Sequence, residues 1–267
     1  MVFRADAICN GIRSEYLLSG TKYGERAAIC AALFSSESVS MDEELLRQEL
    51  RGLDGDLYLC HLFAMAEKRG ALLTLYHLYA DVARIPASVS DPMVGAIRLQ
   101  WWRDLLNAVA NGDGRGTPVG EALLINPLPK DMVIPLIDGR EAALSKGTRG
   151  VDELQDEAQT VGPALMRLAC QICGEDAPDK LLKTAGTGFE LIRLAPTGGD
   201  DVAERAHGLL RDAACDFNGL PRRQRKALLP VFLPIGLARR QAASFPQQRS
   251  LLIYQLILLK MAFMGRL

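Results

Sequence analysis

Carboxylates set at helical spacing are the first chemistry to look for, because four residues place two acids on one helix face, where they can share a cation. Asp200, Asp201 and Glu204 form one such group. Asp152 with Asp156 and Glu153 with Glu157 form another. Both sit where a helix begins, and acids are favoured there by the positive end of the macrodipole. The second run therefore reads as a solvated helix face. Asp81, Asp91 and Asp104 are too widely spaced to share one metal cluster. Cys170 and Cys173 form a lone CxxC, and His61, His77 and His207 are scattered. A structural zinc needs a second pair of ligands, so two buried helix cysteines is the simpler reading.

The most distinctive local cluster is Arg98, Trp101, Trp102 and Arg103. Met93, Ile97, Trp101 and Leu105 recur every four residues, which directs Trp101 to the core and Trp102 elsewhere. Arg98 is then placed to pair with a carboxylate or hold an anion. Residues 221–227, PRRQRKA, read as a solvated helix start or loop, with a membrane-surface or partner role as the alternative.

These residues must be carried by helices, since strand signals are almost absent. Residues 57–70 carry a helical apolar pattern ending on Gly70, and residues 72–83 carry another that Pro86 is expected to stop. Asp91-Pro92 is a helix start, with an aspartate cap and a proline in the first turn. Residues 111–118, NGDGRGTP, break the chain. Residues 127–144 read as a loop and a helix. Residues 151–174 read as one long helix with a kink near Gly162-Pro163, and 180–196 as another closed by Pro196. A turn with two glycines follows, then a helix opening on acids. The expected fold is all-α.

The bulk numbers suit this reading. The chain has 267 residues, 49% of them hydrophobic and 24% charged, with a net charge of −1. That suffices for a sizeable core and gives no global basic field for nucleic acid. Six scattered cysteines are not a disulfide framework, which favours a reducing compartment. Residues 1–40 mix acids with bases and lack a signal peptide's apolar core, so they read as an extension outside the main fold, with Met41 a candidate original start. Residues 41–267 form the expected domain. The apolar segment 251–264 is interrupted by Gln255 and Lys260, too short a run to span a membrane. It reads as a buried terminal helix, with a helix on a membrane surface as the alternative.

From about Leu57 onward the chain resembles the squalene/phytoene synthase family. The similarity rests on RGALLTLYHLYADVAR, SVSDPMVGAIRLQWWRDLL, PLIDGREAAL, AQTVGPALMRLACQICG and GFELIRLAP, in that order. The resemblance implies an isoprenoid-synthase-type helical bundle around a central cavity. It also implies the head-to-head condensation of two prenyl diphosphates, with aspartate-rich motifs on facing helices holding magnesium. Magnesium takes carboxylate, water and phosphate oxygens and neutralises the leaving diphosphate.

The motif positions, carried over residue by residue, hold no acid. The first motif falls on Ala83, Arg84 and Ala87, the middle position on Ala143, and the second motif on Leu194 and Gly198. The pattern resembles a branch of the family that lacks the synthase motifs and includes a mitochondrial complex I assembly factor. The resemblance thus implies a pseudoenzyme that binds an isoprenoid or lipid, or takes part in respiratory-complex assembly. Tyr76, Tyr79, Arg98, Trp101 and Arg193 are candidates to line its cavity. No cofactor is expected, and magnesium only if catalysis survives. The alternative is an active prenyltransferase in which Asp200 and Asp201 are displaced motif acids. A small lipid-binding protein without an assembly role is a third reading. The expected location is cytoplasmic, peripheral to the inner membrane, on the matrix side in a eukaryote.

Overall fold

A computed structural model describes residues 41–144, 149–243 and 251–267 of the chain. The expected extension at residues 1–40 lies outside the described residues. Helix α1 (Met41–Leu53) opens on Asp42, Glu43 and Glu44, closes on Arg51, and buries Leu46 and Leu50 one turn apart. These charges oppose the helix dipole at each end. Helix α2 (Gly55–His61) is capped by Asp54, whose Oδ1 accepts from the backbone N–H of Asp56 (3.1 Å) and Leu57 (2.9 Å).

Helix α3 (Ala66–Ser88) is the long axial element, buried from Leu72 to Ala80. Two expectations fail here. Gly70 does not end a helix; the chain breaks earlier, at residues 62–65, and Gly70 lies inside α3. Pro86 does not stop α3 either. Its ring suits helical φ, and the helix runs two residues past it to end at Ser88.

Helix α4 (Pro92–Ala110) starts as its sequence dictates. Asp91 accepts from the Met93 N–H at 2.9 Å, and Pro92 occupies the first turn. Its buried face is not the expected one. Trp102 is 2% exposed and Trp101 37%, while Met93 and Ile97 point outward beside Trp101. Gly95, Leu99, Trp102 and Leu106 form an equally regular stripe. Periodicity could not choose between the two. Trp102 wins because its indole Nε1–H reaches the Asp81 carboxylate at 3.2 Å once buried.

Short helices α5 (Pro118–Ile125), α6 (Lys130–Asp138) and α7 (Glu141–Leu144) lead into α8 (Val151–Cys173). Gly174 closes α8 in the left-handed conformation, φ 71°. Helix α9 (Asp179–Gly198) runs past Pro196 to the turn at Gly199, φ 77°. Helices α10 (Asp200–Gly219), α11 (Arg222–Ala242) and α12 (Leu251–Met264) complete the order. Among the described residues there is no strand.

Helix α9 lies between α8 and α10 and packs most extensively against both. Gly162 of α8 and Gly186 of α9 let the two backbones touch: a Cβ on Gly162 would stand 2.9 Å from the Thr187 nitrogen and closer still to the Gly186 carbonyl. This contact holds the two helices that carry the buried charges described next.

Candidate functional site

Six charged side chains and one tyrosine meet between α2, α3, α8 and α9. Glu190 of α9 is 1% exposed. Its carboxylate accepts from the Tyr79 hydroxyl (2.6 Å) and pairs with Arg140 (2.6 Å). The same Arg140 nitrogen donates to Glu157 of α8 at 2.6 Å, and Arg149 pairs with the other Glu157 oxygen. Arg193, one turn along α9 from Glu190, pairs with Asp54, the cap of α2. Its guanidinium also stacks over Tyr79, 5.3 Å from the ring centre, and Phe189, 5.5 Å. Three guanidinium groups thus face three carboxylates, and the cluster neutralises itself.

The electrostatics follow from burial. Desolvation works against ionised Glu190, but Arg140 and then Arg193 outweigh it and hold the carboxyl below its ordinary range. Burial pushes the Tyr79 phenol well up, so the tyrosine remains a proton donor to Glu190. Beside Arg193, Asp56 is pushed up to about 6 by burial and by Asp54, with Arg193 pulling the other way. Asp54, Asp56, Phe189 and Arg193 line a cleft of about 20 Å³, closed on its far wall by Pro234 and Ala238. That is room for a water molecule or two.

The cluster lies one turn from the expected motif positions on three segments. Tyr79 precedes Ala83 by four residues on α3, Glu190 precedes Leu194 by four on α9, and Arg140 precedes Ala143 by three. Ala83 and Ala143 are half-buried, while Arg84 and Ala87 are exposed. Arg84 pairs with Asp81 at 2.9 Å. Leu194 packs against the core. At Gly198 the neighbours have closed in: a Cβ there would stand 2.6 Å from the Leu154 side chain and closer to Val202. An aspartate does not fit that position without moving both.

Magnesium needs several carboxylates aimed at one point. Among the described residues no three His, Cys, Asp or Glu side chains come together in that way. The donor set present here does not fit the ion. Asp200 and Asp201 stand exposed in the first turn of α10.

The other expected residues are dispersed. Tyr79 and Arg193 are in the cluster. Tyr76 is core, its hydroxyl buried without a hydrogen-bond partner among the described residues. Arg98 is exposed and donates to the Ser88 hydroxyl at 3.1 Å. Trp101 is on the outer face of α4, edge-on to Trp102. Cys170 is buried and Cys173 half-buried, and burial pushes their thiols up to about 12 and about 11, which suits inert core residues.

Glu157, read from sequence as part of a solvated face, is instead a buried ion-pair partner, because Arg140 and Arg149 converge on it. Glu190 and Arg140 were not singled out by sequence at all. The available signal was Glu190 itself, an acid inside the apolar run from Ala185 to Ala195, where only a buried cation makes it tolerable.

Comparison with known proteins agrees with this architecture. Residues 50–195 match the sequence profile of the squalene/phytoene synthase family. The bovine protein named NADH dehydrogenase (ubiquinone) complex I, assembly factor 6 is 28% identical over 167 residues, covering 61% of this chain and 49% of that protein. Its human counterpart is 28% identical over 130 residues, covering 47% of this chain and 39% of that protein. The chain therefore spans about half or less of the length of these curated relatives. Squalene synthase HpnC from Alicyclobacillus acidocaldarius superposes with a TM-score of 0.56 at 17% identity, over 84% of this chain and 94% of that one. That likeness speaks to the fold alone, an all-α isoprenoid-synthase bundle. With its helical order, its motif segments and the match over more than half its length, the chain belongs to the squalene/phytoene synthase family.

Proposed function

We propose that this chain uses the synthase fold as a scaffold, has given up magnesium-dependent prenyl condensation, and acts through protein partners in assembling respiratory complex I. The observation that carries this reading is the self-neutralised cluster of Arg140, Arg149 and Arg193 with Glu190, Glu157 and Asp54, beside the Tyr79 hydroxyl. It sits one turn from positions where the family's carboxylates are expected and absent. Its cations are already matched by carboxylates, so a diphosphate entering there would have to displace Glu190 or Glu157 from Arg140. The cleft of roughly 20 Å³ beside the cluster has room for a water molecule or two and not for a prenyl chain. The names of the bovine and human relatives supply the complex.

On this reading the outward stripe of α4, Met93, Val94, Ile97 and Trp101, is the surface offered to the partner protein. No cofactor is required. The place of action is where the complex is built, at the cytoplasmic face of the inner membrane in a bacterium or its matrix face in a eukaryote. The test is deletion of the coding sequence in the source cell, followed by native electrophoresis of solubilised membranes. Assembled complex I is expected to fall sharply and to return with the wild-type chain and with the Asp200→Ala, Asp201→Ala double variant. Unchanged complex I after deletion would overturn the assembly role.

A further inference from the structure

Arg98 makes an unusual contact for a surface arginine. Its guanidinium reaches from α4 back to the end of α3 and donates to the Ser88 hydroxyl at 3.1 Å. Elsewhere Arg84, Arg103, Arg167 and Arg205 each take a carboxylate. The acids that flank this turn are already engaged. Asp91 accepts from the Met93 N–H, and Asp81 accepts from Arg84 and from the Trp102 indole. A full positive charge is thus held over one neutral hydroxyl.

Ser88 is open to modification where it stands. It is the last residue of α3, and Ala87, Ser88, Ser90 and Asp91 are all exposed. The backbone after it is extended, with φ −117° and ψ 142° at Val89 and φ −112° and ψ 120° at Asp91. An extended, exposed segment can be laid along an enzyme's groove. The Ser88 hydroxyl also donates to the Ile85 carbonyl at 3.0 Å, so its proton points into the turn and its lone pairs face Arg98.

A phosphate on Ser88 would meet the negative end of α3, which disfavours it unless a cation stands close. Arg98 supplies that cation, and a guanidinium matches phosphate oxygens two at a time. Arg84, one turn back on the same exposed face, can turn from Asp81 to add a second. Ser90 has no such support, since a phosphate there would stand beside the carboxylate of its neighbour Asp91.

We infer that Ser88 is a phosphorylation site whose phosphate is held by Arg98. A kinase passes the terminal phosphoryl group of a nucleoside triphosphate to Ser88 Oγ; the hydroxyl proton is released and the nucleoside diphosphate leaves. The product places about two negative charges beside Ile97 of the outward α4 stripe. They would oppose its covering by an apolar partner, although the site itself does not depend on that role.

Two measurements test the inference. The first is mass spectrometry of the full chain isolated from its source cell with phosphatase inhibitors, in growing and in stationary culture. Cleavage after Arg84 and Arg98 isolates residues 85–98, which carry both serines. Phosphate is expected on Ser88, and Ser88→Ala should abolish the phosphopeptide. The second is ³¹P NMR titration of the chain with phosphoserine encoded at position 88. Its second ionisation, ordinarily near pH 6, should lie about half a pH unit or more lower than in the same chain carrying Arg98→Gln. Arg98→Lys should recover part of that difference. Circular dichroism establishes that each variant is folded. A fully covered 85–98 peptide without phosphate in either culture would overturn the inference, as would phosphate confined to Ser90. Identical titration with and without Arg98 would overturn the assigned role of the arginine.

Discussion

Replacing Glu190 with alanine is expected to destabilise the fold by about 3–5 kcal/mol, the range for removing one member of a buried ion pair. The cost is not the loss of attraction alone. Arg140 is 2% exposed and makes its contacts through one nitrogen shared by Glu190 and Glu157. Without Glu190 it must keep its charge with one carboxylate instead of two, in an interior that cannot solvate it. Tyr79→Phe removes only the hydrogen bond to that carboxylate and should cost about 1.5–3 kcal/mol. Replacing both ions, Arg140→Met with Glu190→Leu, should cost less than Glu190→Ala alone, because no unpaired charge remains. Urea unfolding of the three variants gives these values from the midpoints. A double variant less stable than Glu190→Ala would mean that the cluster acts through packing rather than charge.

A second expected result concerns Asp56. Its carboxyl is pushed up to about 6 in the folded protein, against 3.8 ordinarily, by burial and by Asp54. An acid with a raised native pKa binds more protons folded than unfolded across that window. Its contribution is therefore fully present below about pH 4 and is lost as pH rises through about 6. At pH 7 the charged Asp56 weakens the fold. A shift of this size corresponds to roughly 2–3 kcal/mol, and partial exposure reduces it to about 1–2 kcal/mol. Asp56→Asn should thus be more stable than wild type by that amount at pH 7 and equal to it at pH 4. Paired urea titrations at the two pH values measure it. A gain of equal size at both would assign the effect to the amide's hydrogen bonding instead of the charge.

Much of the fold was legible because helix signals are local. The Asp91-Pro92 start, the glycine after α8 and the acids opening α10 each act within a few residues, and each appears where expected. What was not legible depended on distant partners. Trp101 and Trp102 lie on stripes of equal regularity, and the choice rests on Asp81, some twenty residues away. Glu157 looked like a solvated acid because Arg140 and Arg149 are brought to it only by folding. The terminal helix read as buried because its sequence is mostly apolar, yet burial reaches Leu258 and Met261 while Leu256 and Leu259 stay exposed. In the candidate site, the absence of acids at positions 83, 84, 87, 143, 194 and 198 was plain in the sequence. The closing of Leu154 and Val202 around Gly198 was not, since it depends on how α8 and α10 meet α9.

The central claim, a retained fold without the family's condensation chemistry, is tested most directly by magnesium-dependent release of diphosphate from farnesyl and geranylgeranyl diphosphate, with an active synthase run alongside. The account predicts no release above background at any magnesium concentration while the control turns over. Release that depends on magnesium and disappears in Asp200→Ala or Asp201→Ala would contradict it, and would make the exposed first turn of α10 the displaced second motif.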